Sequence, residues 1–223
     1  MPAAASLAPA LDEGLRALGL ALSPAQRGQL LAYLDLIIKW NRVYNLTAVR
    51  DPAQMLTQHL LDALSAVGPL QRELGRFAAG ARLLDVGSGA GLPGVVFAIA
   101  CPDLLQVTCV DAVGKKVAFI QQVAAALGLT RLQGRHARIE TLTGPYEVIS
   151  SRAFATLADF CAGSRQALSP GGIWLAMKGR VPEAEVAELP PHVEVFHVEP
   201  LAVPALDAQR CIVWMRERRP ASA

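Results

Sequence analysis

The segment from Leu83 to Gly94 constrains the fold of this chain more than any other. A short apolar run ending at Val86 leads into a turn with glycine at positions 87, 89, 91 and 94, and a helix is expected from about Pro93. Glycines let a ligand approach the backbone without interference from a Cβ atom. A strand, a glycine-rich turn and a helix in this order predict a ligand site at the start of an α/β domain.

The chain after Gly80 alternates between strand and helix patterns. Residues 169–172, Ser-Pro-Gly-Gly, are expected to break a helix before the fifth strand. Strands are expected at 82–86, 107–110, 131–134, 146–150 and 173–177, helices at 115–127 and 157–168, and a closing antiparallel pair at 193–198 and 211–215. This alternation predicts an α/β, Rossmann-like fold with a mainly parallel, doubly wound sheet.

The first 80 residues have a different pattern and are expected to form a helical cap. Leucines at 7, 11, 15 and 18 recur at helical spacing. Ser23 to Gln26 has the pattern of a capping box, and Asp51-Pro52 starts a third helix that is expected to run to about Val67, with an irregular stretch at 40–47 before it. We therefore expect a cap at 1–80 and a ligand-binding domain at 81–223, with the boundary near 78–81.

Composition excludes several classes of protein. Hydrophobic residues make up 52% of the 223 residues and charged residues 18%, which is typical of a globular domain rather than a disordered chain. The four cysteines show neither a paired nor a metal-like spacing, so we expect reduced thiols and no metal site. There is no signal peptide pattern and no run that could span a membrane, which favours a cytoplasmic protein.

The net charge of +2 neither requires nor excludes a nucleic-acid partner. Basic residues do gather near the C-terminus, at Arg210, Arg216, Arg218 and Arg219. A solvated chain end and an RNA contact are both compatible with that group.

Two aspartates distinguish between cofactors that such a turn could hold. The glycines at 89, 91 and 94 match the dinucleotide pattern, but Asp85 lies at the end of the first strand, where its carboxylate would repel a pyrophosphate. S-adenosyl-L-methionine carries no phosphate, and its ammonium and sulfonium groups are cationic. Asp111, at the end of the second strand, suits the ribose of either cofactor. We therefore predict S-adenosyl-L-methionine, with S-adenosyl-L-homocysteine as product, bound by Asp85, Gly87, Gly89 and Asp111.

The segment after the fourth strand bears on the atom that is methylated. Ser150 to Phe154 lacks the Asn/Asp-Pro-Pro-aromatic sequence common in enzymes that methylate exocyclic amines. Cys161 lies within a helix pattern and is not expected to act as a nucleophile. Guanine N7 has a lone pair and no proton to remove. An enzyme that methylates this atom would therefore need to position the base and would not need a general base.

Two cationic side chains follow successive strands and suit a guanine, whose N7 and O6 atoms both accept hydrogen bonds. Arg152 and Lys178 are both expected at the ligand edge of the sheet. An ion pair with a loop carboxylate is the alternative for Arg152, and a solvated strand end for Lys178.

These motifs together resemble the bacterial 16S ribosomal RNA guanine-N7 methyltransferase family, also called glucose-inhibited division protein B. The resemblance covers nearly the whole chain in order. It rests on Trp40-Asn41, Tyr44 to Thr47, His59 with Asp62, Asp85 to Gly94, Asp111 with Lys115-Lys116, Ser151 to Ala155, Lys178-Gly179, and Val203 to Asp207.

The resemblance implies methylation of a guanine N7 in 16S rRNA, within the small ribosomal subunit or an assembly intermediate, and we expect the enzyme to be a monomer. It implies that Gly87 and Leu92 line the cofactor and that Ile139 and Glu140 flank the adenine. It also implies that Arg152 belongs to the site, where we expect it to contact the cofactor as well as to position the acceptor. Ala112 stands where serine is frequent, so a side-chain contact with the cofactor is in doubt there.

Three polar residues of the cap, Asn41, Asn45 and His59, have two interpretations. Asn45 and His59 are candidates for positioning the acceptor, together with Arg152 and Lys178. Alternatively, the asparagines tie the loop to the domain and His59 is a buried histidine bonded to Asp62, three residues along the helix. Trp40 and Tyr44 could stack on a base, although packing in the core is the stronger expectation.

Other functions stay open at this point. The chain could methylate a small molecule or a protein, or it could be a non-catalytic RNA-binding assembly factor that retains a cofactor fold. An NAD-dependent enzyme is the most distant alternative.

Overall fold

The computed structural model describes residues 4–77 and 80–218, and its centre is a seven-stranded sheet in the order β3-β2-β1-β4-β5-β7-β6. The strands are β1 (Ala81–Val86), β2 (Leu105–Asp111), β3 (Leu132–His136), β4 (Tyr146–Arg152), β5 (Leu168–Lys178), β6 (Val193–Leu201) and β7 (Arg210–Glu217). The first five strands pair in parallel, whereas β7 runs antiparallel to β5 and β6. The predicted fold class, including the antiparallel closing pair, is confirmed.

The strand order reverses between β1 and β4, which are neighbours in the sheet. Ligands of open α/β sheets bind at the carboxyl ends of the strands beside such a reversal. Asp85, Asp111 and Arg152 lie at or near the ends of β1, β2 and β4. The topology therefore places all three predicted site residues at one edge of the sheet.

Among the described residues, five α-helices precede the first strand along the chain, and four lie between the later strands. They are α1 (Ala8–Ala17), α2 (Pro24–Tyr44), α3 (Pro52–Met55), α4 (Asp62–Ser65), α5 (Val67–Leu74), α6 (Gly94–Ala100), α7 (Gly114–Leu127), α8 (Leu157–Ser164) and α9 (Glu183–Ala187). A π-helical segment, Leu56–Leu61, joins α3 to α4 without interruption. The capping box at Ser23 is confirmed, since its hydroxyl accepts from the Gln26 amide and the Gln26 side chain accepts from the Ser23 amide.

Some expected boundaries were wrong. Helix α2 continues to Tyr44, so the irregular stretch begins only at Asn45, whose φ of 49° ends the helix. Helix α8 ends at Ser164 and continues as one 3-10 turn to Ala167, because the Ser164 hydroxyl donates to the Phe160 carbonyl and accepts from the Trp174 indole. Residues 169–172 lie within β5, where the pairing with β4 shifts register between Leu168 and Ile173.

The core lies on both faces of the sheet, because successive side chains of a strand point to opposite faces. Leu83 packs in a cluster with the N-terminal helices, α6 and α7, and Leu84 packs in the cluster that contains α8. The first cluster extends from Leu11 in α1 to Trp214 in β7. The division into 1–80 and 81–223 stays a prediction, and residues 78 and 79 of the expected boundary lie outside the described residues.

Helix α2 supports the glycine turn directly. The Tyr33 hydroxyl, fully buried, donates to the Ala90 carbonyl at 2.6 Å. A Cβ atom on Gly91 would lie 2.4 Å from a methyl carbon of Val95, which only glycine avoids. The cap and the turn are therefore held together at the place where the sequence predicts a cofactor.

No helix of the described part of the chain is long and apolar enough to cross a membrane. Its four cysteines are buried and free, as expected. Within the same residues, no group of three or more metal-ligating side chains is found.

Candidate active site

The glycine turn is held from both sides by backbone bonds. The Ser88 amide donates to the Val110 carbonyl at 3.1 Å, and the Ser88 carbonyl accepts from the amides of Gly91 and Leu92. Gly87 has a φ of 62°, and a Cβ atom there would lie 2.4 Å from the Phe154 ring. Both the backbone conformation and the close approach of the ring require glycine at this position.

Asp85 lies under this turn and is fully buried. Its carboxylate accepts hydrogen bonds from the Gly94 amide at 2.9 Å and the Ser150 hydroxyl at 2.8 Å. Burial raises the pKa of Asp85 to about 7, although the bonds from Ser150 and Gly94 oppose that shift. These two bonds hold Asp85 against the start of α6 and against β4, and its direct contact with the cofactor stays a prediction.

Asp111 connects the turn to the start of α7. One carboxylate oxygen accepts from the Gly89 amide at 3.0 Å and the other from the Val113 amide at 2.8 Å. The Lys116 ammonium lies 3.6 Å from the same carboxylate. Each carboxylate oxygen has a second lone pair, so Asp111 can still accept from a ribose diol.

A cavity of about 200 Å³ opens beside these residues, and we call it the Asp111 cavity. Its charged lining residues are Asp111, Arg138 and Glu140, and small and apolar side chains supply the rest of its wall. It is lined by Val86, Gly87, Val110, Asp111, Ala112, Ala137, Arg138, Ile139, Glu140 and Phe154. A carboxylate for a ribose, apolar walls for an aromatic base and a glycine that admits close approach fit S-adenosyl-L-methionine.

Five expected cofactor residues thus come together in the Asp111 cavity: Gly87, Asp111, Ala112, Ile139 and Glu140. Four others do not line it: Arg152 lines a second cavity, described below, and the remaining three lie close to the Asp111 cavity. Gly89 and the buried Leu92 belong to the turn beside it, and Asp85 lies beneath it. The cofactor contacts of all these residues stay predictions.

A second cavity, of about 320 Å³, lies on the other side of the loop that follows β4, and we call it the Arg152 cavity. Arg152 lines this cavity and Phe154 lines the Asp111 cavity, with Ala153 between them at a φ of 52°. A non-glycine residue at positive φ is uncommon and costs backbone energy. The Arg152 cavity is lined by Gln58, His59, Asp62, Arg152, Ala153, Met177, Lys178, Gly179 and Arg210.

A buried carboxylate organises the Arg152 cavity. Asp62 is only 2% exposed, and its two oxygens accept from Arg152 Nη1 and Arg210 Nε, each at 2.8 Å. Arg152 Nη1 also donates to the Gln58 carbonyl at 3.0 Å. The ion pair expected as the alternative for Arg152 exists, but its carboxylate comes from the cap helix rather than from a loop.

Lys178 is not a solvated strand end. Its ammonium lies 2.8 Å from an oxygen of Glu185, which belongs to α9, and donates to the Ala155 carbonyl at 3.3 Å. The same Glu185 oxygen also accepts from the Leu157 amide at 2.8 Å. Lys178 thus ties the loop after β4 to α9 while it lines the Arg152 cavity.

His59 lines the same cavity, but its partner is not Asp62. His59 Nε2 lies 2.8 Å from the Thr47 hydroxyl, and Asp62 is occupied by the two arginines. Burial lowers the pKa of His59, and the positive charge of Arg152 lowers it further, so both effects favour the neutral imidazole. Within the described residues, Nδ1 of His59 is buried without a hydrogen-bond partner.

Asn41 and Asn45 both form hydrogen bonds with residues that follow α2, as expected if the asparagines tie the loop to the domain. Asn41 is buried and ties the loop by accepting from the Thr47 amide and donating to the Val49 carbonyl. Asn45 is exposed, accepts from Arg50, and does not line either cavity. The structure thus places Asn45 outside both cavities, and its role in positioning the acceptor stays a prediction.

Some site residues were missed from the sequence. Asp62 was considered only as a partner of His59, and Arg210 only as part of a basic chain end, whose Arg219 lies outside the described residues. Nothing in the sequence marks Phe154 as a site residue except its position after β4. Cys161 was correctly set aside, because its buried thiol has a pKa raised to about 12.

Comparison with known proteins decides the family. The family model for rRNA small subunit methyltransferase G matches residues 26–213. The chain belongs to this family. It is 64% identical over 217 residues to ribosomal RNA small subunit methyltransferase G of Acidovorax ebreus, covering 95% of this chain and 96% of the relative. It is 59% identical over 216 residues to that of Methylibium petroleiphilum, covering 96% of each.

Family membership makes the chain an enzyme, a methyltransferase that uses S-adenosyl-L-methionine. Solved structures with low identity agree on the fold alone. TrmN from Thermus thermophilus matches with a TM-score of 0.53 at 20% identity, covering 73% of this chain and 53% of that one. The methyltransferase SibL matches with a TM-score of 0.55 at 17% identity, covering 81% and 62%.

Replacing Asp111 tests the placement of the ribose. Asp111→Ala removes an acceptor for the diol and frees the amides of Gly89 and Val113, so we expect S-adenosyl-L-methionine to bind about tenfold more weakly or worse. Isothermal titration calorimetry measures this, with Asp103→Ala, an exposed aspartate outside the Asp111 cavity, as control. An affinity within twofold of the unaltered protein would contradict the placement.

Asp85 should make stability depend on pH. Its pKa is raised to about 7 in the folded protein, so between about pH 4 and pH 7 the folded state retains a proton that the unfolded state loses. Raising the pH across that range therefore favours unfolding. We expect Asp85→Asn to gain stability relative to the unaltered protein as pH rises from 4 to 7, by up to roughly 4 kcal/mol.

Urea unfolding at several pH values measures this difference. Asp159→Asn, a change of an exposed carboxylate outside the site, is the control. Parallel pH profiles for the Asp85 variant and the unaltered protein would show that Asp85 is ionised throughout.

Proposed function

We propose that this enzyme transfers the methyl group of S-adenosyl-L-methionine to N7 of a guanine in 16S rRNA. The observation that carries the proposal is the charge pattern of the Arg152 cavity. Its charged groups are two arginines, one lysine and Asp62, both of whose oxygens are already bonded to arginines. The cavity thus offers hydrogen-bond donors and no free carboxylate, which suits an acceptor atom that loses no proton.

The chemistry of guanine N7 fits this pattern. S-adenosyl-L-methionine, when bound, supplies a methyl group on a cationic sulfur that becomes neutral when the group leaves. The lone pair of N7 forms the new N–CH₃ bond, and the electrons of the broken C–S bond stay on sulfur. No proton is released, so the protein has only to align and desolvate the two groups.

Arg152 is the residue best placed to orient the base. Only its Nη1 is bonded to Asp62 and Gln58, so within the described part of the chain its Nε and Nη2 have no partner. Guanine O6 lies next to N7 and accepts hydrogen bonds. The two bonds on Nη1 fix the guanidinium while its free donors hold O6, which brings N7 to the boundary between the two cavities.

The partner and setting follow from the same proposal. The names of the relatives specify the RNA of the small ribosomal subunit. We propose that this chain acts as a monomer in the cytoplasm, on the small subunit or an assembly intermediate. A methyltransferase for a small molecule or a protein, and a non-catalytic RNA-binding assembly factor, are the alternatives that the experiment must separate.

The test is transfer of labelled methyl from S-adenosyl-L-methionine to small subunits that lack base methylation, followed by mass spectrometry of the nucleosides. We expect 7-methylguanosine in 16S RNA. Measured binding of the cofactor without methyl incorporation into subunits or bare RNA would overturn the proposal, and a different methylated nucleoside would overturn the choice of N7.

Arg152→Ala should lower kcat/KM for subunits by about a hundredfold, because the donors to O6 are lost. Arg152→Lys keeps the charge but not the planar fork, and should fall in between. Arg165→Ala, which removes a surface ion pair with Glu217, is the control and should stay near normal. Near-normal transfer by a folded Arg152→Ala protein would remove Arg152 from the site.

A further inference from the structure

The C-terminal end of α2 and the start of α7 expose apolar side chains that the catalytic proposal does not use. Val43 is 70% exposed, Tyr44 39% and Val113 38%. These are three of the five large hydrophobic side chains that are exposed in the described residues, and the other two lie elsewhere, at 104 and 181. A concentration of this kind marks an interaction surface.

Contacts between the two helices bring these residues together. Gln29, near the start of α2, donates to the Leu127 carbonyl at the end of α7. Further along α2, the rings of Trp40 and Phe119 have centroids 5.3 Å apart. The two helices are therefore antiparallel, and the end of α2 at Tyr44 lies beside the first turn of α7, which Val113 precedes.

The Tyr44 ring is held but not covered. It packs against Trp40 with centroids 5.1 Å apart, and Trp40 is fixed in turn by Phe119, whose side chain is buried. Core packing, the stronger expectation for both aromatic residues, is observed for Trp40, whereas Tyr44 keeps an exposed face. An exposed ring on a rigid support is what a nucleobase can stack on.

Cations without partners surround the apolar residues. Lys39 and Arg42 are exposed on the last turns of α2, and Lys115 is exposed on the first turn of α7. None of the three has an ion pair or a side-chain hydrogen bond to the residues that the structure describes. We call Lys39, Arg42, Val43, Tyr44, Val113 and Lys115 the α2–α7 surface.

One hydrogen bond and one short loop connect the α2–α7 surface to the two cavities. The Val113 amide donates to Asp111, which lines the Asp111 cavity. On the other side, the loop that follows Tyr44 leads to Thr47, whose hydroxyl contacts His59 in the Arg152 cavity. RNA on this surface would therefore run directly beside the place where a base receives a methyl group.

We propose that the α2–α7 surface binds single-stranded RNA next to the methylated guanine, an inference that rests on the function proposed above. Tyr44 stacks on a neighbouring base, Val43 and Val113 pack on base and sugar, and the three cations bind phosphates. A base must leave its stack to enter a cavity, so the adjacent strand is unpaired and has bases to stack.

The test measures binding to unmethylated small subunits separately from methyl transfer. The variants are Tyr44→Ala, Tyr44→Phe and the double variant Arg42→Glu/Lys115→Glu. The control is Arg16→Glu/Arg131→Glu, which changes the net charge equally at exposed arginines away from the α2–α7 surface. Thermal unfolding and calorimetry with S-adenosyl-L-methionine should give near-normal values for every variant.

We expect the dissociation constant for subunits to rise about tenfold in Tyr44→Ala and to stay near normal in Tyr44→Phe, which keeps the ring. The double variant should bind more weakly and lose at least one unit from the slope of log affinity against log salt concentration, since each phosphate contact contributes about 0.7. The control should match the unaltered protein.

Equal binding by all variants would overturn the inference and leave the methyl-transfer proposal intact. Loss of binding in Tyr44→Ala with an unchanged salt slope in the double variant would also overturn it, and would indicate a ribosomal protein on this surface instead. If the unaltered protein binds subunits but transfers no methyl group, the proposed function fails while the binding data still test the α2–α7 surface.

Discussion

The carboxylate of Asp62 is the interaction on which the carboxyl edge of the sheet depends. It comes from the cap, yet it binds Arg152 at the end of β4 and Arg210 at the start of β7, two strands separated by β5. Burying three charges is favourable only when each has its partners, because removing one leaves an uncompensated charge. The two guanidinium groups therefore depend on the docked cap for their positions, and the Arg152 cavity is formed by residues of both parts of the chain.

The cap supports the cofactor side in the same way, through a neutral group. The Tyr33 hydroxyl binds the Ala90 carbonyl within the glycine turn, and burial raises the pKa of that hydroxyl well above its usual value, so it remains a donor. Helix α2 thus holds the turn at its middle and carries the α2–α7 surface at its end. One helix therefore connects the glycine turn with the surface proposed for RNA.

Sequence reasoning succeeded where the signal is local. The turn from Asp85 to Gly94, the capping box at Ser23 and the position of Asp111 after β2 each depend on neighbours within about ten residues, so spacing was sufficient. It failed where the partner is distant. Asp62 lies 90 residues from Arg152 and 148 from Arg210, and no periodicity links them. His59 was assigned to Asp62 because helical spacing made them neighbours, whereas the fold gives His59 to Thr47.

The short segment 152–154 contributes to both cavities, because it forms part of the wall between them. Methyl transfer requires the two reacting atoms to approach within about 3–3.5 Å, so no protein atom can lie between them, and the layer of protein between the two ligands must end beside the reacting atoms. Arg152 and Phe154 supply that layer, and the positive φ of Ala153 turns them toward different cavities. Phe154 packs on Phe160 and fills the space that a Cβ of residue 87 would need. Glycine at position 87 is therefore required for Phe154 to take its place in this wall. In the proposed function, the same wall holds the cofactor and the acceptor side by side.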